Sequence, residues 1–164
     1  MILRVRKKMD EAGNKGELSI SVNAFVPKPF TPYQWEPLCN TKTLKNRFKM
    51  LNDGLKKNRK IKLISESLKE TVVQSILARG DRRMGRILLE AHETNQQLKF
   101  VLKQHGVDAE ALAETPLTIG SVLPWSHLDM GVSEKYLALE MQKSDKGSFT
   151  PMCFDGCKRC GVCK

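Results

Sequence analysis

Glu17-Leu18-Ser19-Ile20-Ser21-Val22-Asn23-Ala24-Phe25-Val26 is the stretch on which the fold turns. Apolar Leu18, Ile20, Val22 and Ala24 alternate with polar Ser19, Ser21 and Asn23, the period of a strand with one buried face. A strand leaves its backbone donors and acceptors unpaired unless another lies beside it, and the next 35 residues hold no hairpin partner. The expectation is a strand matched by strands outside this chain, in a polypeptide that begins inside a larger fold. Upstream, Met1–Glu11 reads as the end of a helix whose beginning is missing, closed by Ala12-Gly13-Asn14.

Downstream, Pro27-Lys28-Pro29-Phe30-Thr31-Pro32-Tyr33-Gln34-Trp35-Glu36-Pro37 carries four prolines and three aromatics. Proline fixes φ and pushes its predecessor out of the helical region, so a stiff, extended crossing segment is expected, laying Phe30, Tyr33 and Trp35 on a surface. Helical signals follow. Thr41 is positioned to cap a helix to about Lys57, with Leu44, Phe48, Leu51 and Leu55 as its apolar stripe. Ile61–Ser65 reads as a short strand. Ser67-Leu68-Lys69-Glu70 is a capping box opening a helix to Arg79. Gly80 ends that helix and Asp81 caps the next, whose buried face is Met84, Ile87, Leu88 and Ala91. Leu98–His105 and Asp108–Glu114 are short helical pieces, Leu117–Leu123 is extended, and Ser133 caps a last helix to about Lys143. Three blocks result: residues 1–38 (helix, strand and crossing segment), 39–146 (a mainly helical extension) and 147–164 (a cysteine-rich tail).

The 164 residues contain 40% apolar and 28% charged residues, enough to bury a core. No apolar run approaches the roughly 20 residues that span a bilayer, and Met1–Asp10 has no uninterrupted hydrophobic segment, so a cytoplasmic protein without a membrane partner is expected. The net charge is +10 and uneven. Lys42–Lys62 holds nine basic residues against Asp53 alone, a net of +8, and Arg79–Arg86 holds four arginines against Asp81, a net of +3. Asp108–Asp145 holds seven acids against Lys135 and Lys143, a net of −5. A basic excess attracts polyanions, with RNA the commonest candidate, though a well-solvated helix face is the more ordinary reading of such lysines. Lys45, Lys49, Lys56 and Lys57 are the candidate nucleic-acid contacts on the first segment. Arg79, Arg82 and Arg83 either clamp phosphates or pair with Asp81 and acidic helices.

Cys39 stands alone beside Pro37, whereas Cys153, Cys157, Cys160 and Cys163 fall within eleven residues as C-x3-C-x2-C-x2-C. Without an export signal, that density points to metal or cluster ligation before disulfides. Four thiolates make a closed site, suited to a [4Fe–4S] cluster or a structural zinc. Gly156 and Gly161 let the chain fold around an ion, and Lys158 and Arg159 offset the thiolate charge. His127 and Asp129 stand two apart on a loop, and a structural histidine is favoured over an acid–base pair. No serine–histidine–acid arrangement, phosphate-binding loop or dinucleotide fingerprint is recognisable.

The order Ser19–Val26 running into Val26-Pro27-Lys28-Pro29-Phe30-Thr31-Pro32-Tyr33-Gln34-Trp35, then Arg79-Gly80-Asp81-Arg82-Arg83, then Leu123-Pro124-Trp125-Ser126-His127, then the cysteine tail, resembles the C-terminal part of one family. These are the radical S-adenosylmethionine proteins that carry a cobalamin-binding-type N-terminal region. The resemblance implies an α/β, predominantly helical chain: the last strand of an incomplete (β/α) barrel, a helical extension and the tail. It further implies cosubstrate contacts from Phe25, Val26 and Pro27, a remaining N-terminal barrel half as partner, and S-adenosylmethionine in the complete protein, with cobalamin a further candidate. The family's N-terminal C-x3-C-x2-C, which leaves one iron open for the cosubstrate, is absent from its usual place. Cys153, Cys157 and Cys160 repeat that spacing, but Cys163 would fill the open iron and only four residues follow Cys160. This chain alone is therefore expected to perform no radical chemistry. From another class, a non-catalytic RNA- or ribosome-binding module with a zinc-stapled tail fits the same residues.

Overall fold

The computed structural model describes residues 1–163, in which seven helices and one two-stranded sheet follow in the order α1 (Ile2–Glu11), β1 (Leu18–Ser21), α2 (Thr41–Leu55), β2 (Ile61–Ile64), α3 (Leu68–Arg79), α4 (Arg83–Glu93), α5 (Leu98–Gln104), α6 (Ala109–Glu114) and α7 (Glu134–Asp145). The chain is thus α/β and predominantly helical. It divides into two compact units, Met1–Phe25 with Cys39–Thr71, and Val26–Leu38 with Val72–Lys164.

In the first unit β1 and β2 pair in parallel, Leu18 opposite Ile61 and Ser21 opposite Ile64. Flanking bonds from Leu18 N to Lys60 O (2.8 Å) and Val22 N to Ile64 O (2.9 Å) close the ladder. The expectation of a strand with no partner in this chain is therefore corrected. A parallel neighbour needs a long crossover, so it lies far along the sequence rather than across a hairpin turn. β1 is also shorter than its alternation, because β2 offers only four rungs before Ser65. There Asn23 Oδ1 accepts instead from Glu66 N–H at 3.0 Å. The alternation itself persists in burial, with Leu18 and Ile20 half-buried between exposed Ser19 and Ser21. Helix α2 starts because Asn40, one residue before the expected cap, accepts from Lys42 N–H (3.0 Å) and Thr43 N–H (3.4 Å). It ends at Leu55, and Leu44 and Leu55 are buried.

The second unit holds most of the core. Val72, Ile76, Met84, Ile87, Val101, Leu102 and Ala113 come from four consecutive helices. Beside them Trp35, Leu123, Trp125 and Leu137 form a cluster, packed by Phe30, Leu117, Val132 and Tyr136 among others. An indole buries on the order of 200 Å², so each tryptophan contributes about 5 kcal/mol of transfer free energy as an upper bound. Trp125 is aimed by a buried glutamine: its Nε1–H donates to Gln34 Oε1 at 2.8 Å, and the same oxygen accepts from Phe30 N–H at 3.0 Å.

Three local expectations change here. The proline-rich segment is not extended but coils in successive turns, with Gln34 N–H on Thr31 O and Glu36 N–H on Tyr33 O (both 3.0 Å) and Phe30 at φ 58°. That coiling carries Trp35 inward. Leu117–Leu123 is broken by a turn in which Ser121 N–H and Oγ both reach Thr118 O. Leu88, expected on the buried face of α4, is 41% exposed, since Met84 and Ile87 already fill that face. Two capping signals hold, with Asp81 Oδ1 accepting from Arg83 N–H and Ser133 Oγ from Tyr136 N–H, while Ser67 Oγ accepts from Lys69 N–H without the reciprocal Glu70 bond of the expected box among the described residues.

Candidate functional site

The tail is organised around Arg159. Its Nε–H donates to Cys157 Sγ at 3.1 Å, and its Nη2 donates to Pro151 O and Met152 O, both at 2.9 Å. Its guanidinium also lies 5.6 Å from the Phe154 ring centroid, within cation–π range. The backbone N–H of Arg159 and then its side chain hold the Cys157 thiol below the usual thiol range. Gly156 (φ 80°) and Gly161 (φ 91°) both take the left-handed conformation, turning the chain on either side of Cys160. Cys160 O accepts from Ser133 N–H at 2.8 Å, tying the tail to the start of α7. Lys143, Glu140 and Thr150 join the other end of α7 to the segment leading into the tail.

The thiols are unequal. Cys157 is buried, Cys160 half-buried, and Cys153 and Cys163 exposed. Among the described residues no group of three or more His, Cys, Asp or Glu side chains is gathered to hold a metal ion. Four thiols in eleven residues nevertheless make a donor set that suits a thiophilic metal, with Cys157 already biased toward the thiolate that ligation requires. Cys39 belongs to the first unit, where its sulfur faces Arg47 Nη1 at 3.8 Å.

Arg79 does not present itself to a phosphate. It is 2% exposed and donates through Nε to Leu112 O (2.9 Å), through Nη1 to Glu36 O (2.6 Å) and through Nη2 to Thr115 O. All three nitrogens thus face main-chain carbonyls, and burial lowers its pKa. It takes neither expected role, clamp or ion pair. Gly80 follows because a Cβ there would collide with the Met84 side chain. Arg83 does form an ion pair, its Nε 3.0 Å from both Asp81 oxygens and its Nη2 2.9 Å from Oδ2. Arg83 by its side-chain and backbone bonds keeps the Asp81 carboxyl below the ordinary range. The Arg82 guanidinium is exposed and carries no hydrogen bond or ion pair among the described residues.

On α2, Lys42, Lys45 and Lys49 recur at i, i+3 and i+7, one stripe beside the apolar face, and Lys56 follows at the C-cap. All nine basic side chains from Lys42 to Lys62 are exposed. Lys56 is partly neutralised by Asp53 at 2.8 Å and Lys60 by Asp10 at 3.2 Å. At the proposed cosubstrate contacts Phe25 is exposed, Val26 half-buried and Pro27 buried. His127 is exposed rather than a core histidine, and Asp129 Oδ1 is taken by Gly131 N–H at 2.7 Å, which closes a turn. Sequence reasoning missed the Gln34 bridge, whose only signal was a polar residue amid aromatics.

No helix among the described residues is long and apolar enough to cross a membrane. No family model, no curated protein and no solved structure matches this chain.

Proposed function

We propose that this chain is the C-terminal portion of a radical S-adenosylmethionine iron–sulfur enzyme acting on a macromolecular or otherwise anionic substrate, RNA being the leading candidate, and that its tail binds one metal centre. Support comes from the way the resembling motifs meet in the second unit. Gln34 of the proline-rich segment bonds Trp125 of the Pro124-Trp125-Ser126-His127 turn. Arg79 bonds Glu36 O, and the tail hangs from Ser133. Residues far apart in sequence are thus brought together in one unit.

Cys153, Cys157, Cys160 and Cys163 would hold the metal. A [4Fe–4S] cluster would supply electron transfer there, and a zinc ion a structural staple. Cys157 provides the first thiolate, with Arg159 offsetting its charge. Phe25, Val26 and Pro27 would border the cosubstrate in the complete protein, where the N-terminal barrel half supplies the catalytic cysteines. Cobalamin remains a candidate of that half.

A second reading, a non-catalytic RNA- or ribosome-binding module with a zinc tail, draws on the full exposure of the Lys42–Lys62 cations. Anaerobic purification followed by iron, sulfide and zinc analysis tests both. Brown protein with equal iron and sulfide is the expected result. One zinc in colourless protein selects the structural site over the cluster, and five freely titrating thiols with no metal overturn the metal tail in either reading. Adding the barrel half and measuring reductive cleavage of S-adenosylmethionine then separates enzyme from module.

A further inference from the structure

Two motifs that the sequence keeps about forty residues apart face one open cleft of about 580 Å³ in the second unit. Asp81, Arg82 and Arg83 form one side, and Val122, Leu123, Pro124 and His127 the other. The volume falls in the range of small-ligand sites.

The charges are unevenly occupied. Arg83 and Asp81 neutralise each other, so Asp81 does not repel an anion. The Arg82 guanidinium and the His127 imidazole have no hydrogen-bond or ion-pair partner among the described residues, and both are exposed to the cleft. The opposite wall is apolar: Val122 is 92% exposed beside Pro124, an arrangement that water disfavours and a bare inorganic ion would not need. A ligand matching both halves carries an anionic group that accepts hydrogen bonds and a flat apolar part that covers Val122 and Pro124.

Both walls stand on fixed foundations, which lowers the ordering cost of binding. Arg79 pins the elbow from beneath through its three carbonyls, and Asp81 caps α4. Across the cleft Trp125 is anchored by Gln34, and the turn is closed by Leu123 N–H on Ser126 Oγ (2.9 Å) and Ser126 N–H on Leu123 O (3.0 Å).

We propose that this cleft binds a nucleotide unit, with Arg82 and His127 on the phosphate and Val122 and Pro124 against the base. The inference deepens the anionic-substrate part of the proposed function and rests on it, but it is independent of the metal tail. A free nucleotide and one residue of an RNA strand share this chemistry.

Titration of the full chain by calorimetry and by NMR with adenosine 5′-monophosphate, adenosine and inorganic phosphate tests it, alongside a labelled single-stranded RNA 12-mer. The nucleotide is expected to bind more tightly than either fragment and to shift the Arg82 and His127 side-chain signals. Arg82→Ala is expected to weaken binding roughly tenfold and His127→Ala several-fold, in line with the strength of charge-assisted hydrogen bonds. Val122→Ser should erase the advantage of nucleotide over phosphate. These three side chains are exposed, and the wild-type NMR shifts read the site without any variant. RNA weakened by the same variants assigns the site to a strand; nucleotide binding alone assigns it to a free nucleotide. Equal binding of phosphate and nucleotide overturns the ligand class. RNA that binds the chain but ignores all cleft variants, with no nucleotide binding, overturns the cleft while the anionic-substrate reading stands. Absence of binding by RNA and nucleotide alike overturns both.

Discussion

Arg6 in the first unit and Arg79 in the second are both hidden, 1% and 2% exposed, yet they are held differently. Arg6 has a carboxylate, Asp10, at 3.0 Å, together with the Gly16 and Asn14 carbonyls at 2.5 and 2.7 Å. It fastens the end of α1 to the loop before β1. Arg79 has no carboxylate and ties three carbonyls, one from the proline-rich segment and two from the C-terminal end of α6. The surroundings differ in the same sense. Among the described residues the first unit buries only Leu44 and Leu55 as apolar side chains, whereas the second buries a helical core and a tryptophan cluster. A thin unit draws order from ion pairs near water; a packed one can enclose a charge because its walls supply the acceptors.

The largest effect should follow from breaking the second arrangement. Arg79→Ala leaves three carbonyls in a dry setting without their donors, a cost of about 3–5 kcal/mol. Arg79→Lys should recover little, because an ammonium cannot reproduce the three divergent contacts of a planar fork. Urea titration followed by tryptophan fluorescence measures it, and a loss under about 1 kcal/mol would remove Arg79 as the organiser of that unit. Next in size is Gln34→Leu, which strands the Trp125 indole N–H and the Phe30 amide at a cost of about 2 kcal/mol.

Arg6→Ala should cost less, about 1–2 kcal/mol, because Asp10 and the loop lie near water. Its effect should be local, seen as faster amide exchange through Gly13–Leu18 with the second unit unchanged. This clamp also has a pH signature. Arg6 first and Lys60 second hold the folded Asp10 carboxyl below its ordinary value. The stabilisation is therefore complete above the unfolded carboxylate value and disappears as pH falls through the lowered folded one. Asp10→Asn should flatten that acid limb, and an unchanged acid profile would show that Asp10 contributes nothing.

Elements whose cause is local were legible in the sequence: Ser133 before α7, Asp81 before α4, and the alternation at Leu18–Ser21 all act through neighbours a few residues away. The parallel partner of β1 was not, since nothing in Leu18–Ser21 specifies a ladder with Ile61–Ile64 across forty residues. Arginine in a basic run reads as solvent-exposed, so the burial of Arg79 was hidden until its three acceptors were brought together by folding. The four thiols were legible as a set, because their density is itself the signal. Their unequal exposure was not, because it depends on where Arg159 and Ser133 hold the loop.

The smallest change in stability, and the sharpest local readout, belongs to Arg159→Ala. The backbone contribution to Cys157 Sγ survives this substitution and the guanidinium contribution is lost, so the thiol should shift upward without returning fully to its ordinary value. The sign for stability runs with it. A thiol lowered in the folded state contributes stabilisation that is present above the unfolded thiol value and lost as pH falls through the folded one, so the variant should differ from the parent mainly at the alkaline end. Thiolate absorbance near 240 nm, titrated in chains that retain only Cys157 of the five cysteines, isolates the group. The Pro151 and Met152 carbonyls also lose their donor, which should loosen the turn before Cys153. An identical titration with and without Arg159 would mean that the contact seen at 3.1 Å does not bias the sulfur, and that the first thiolate of the tail must be generated by the metal itself.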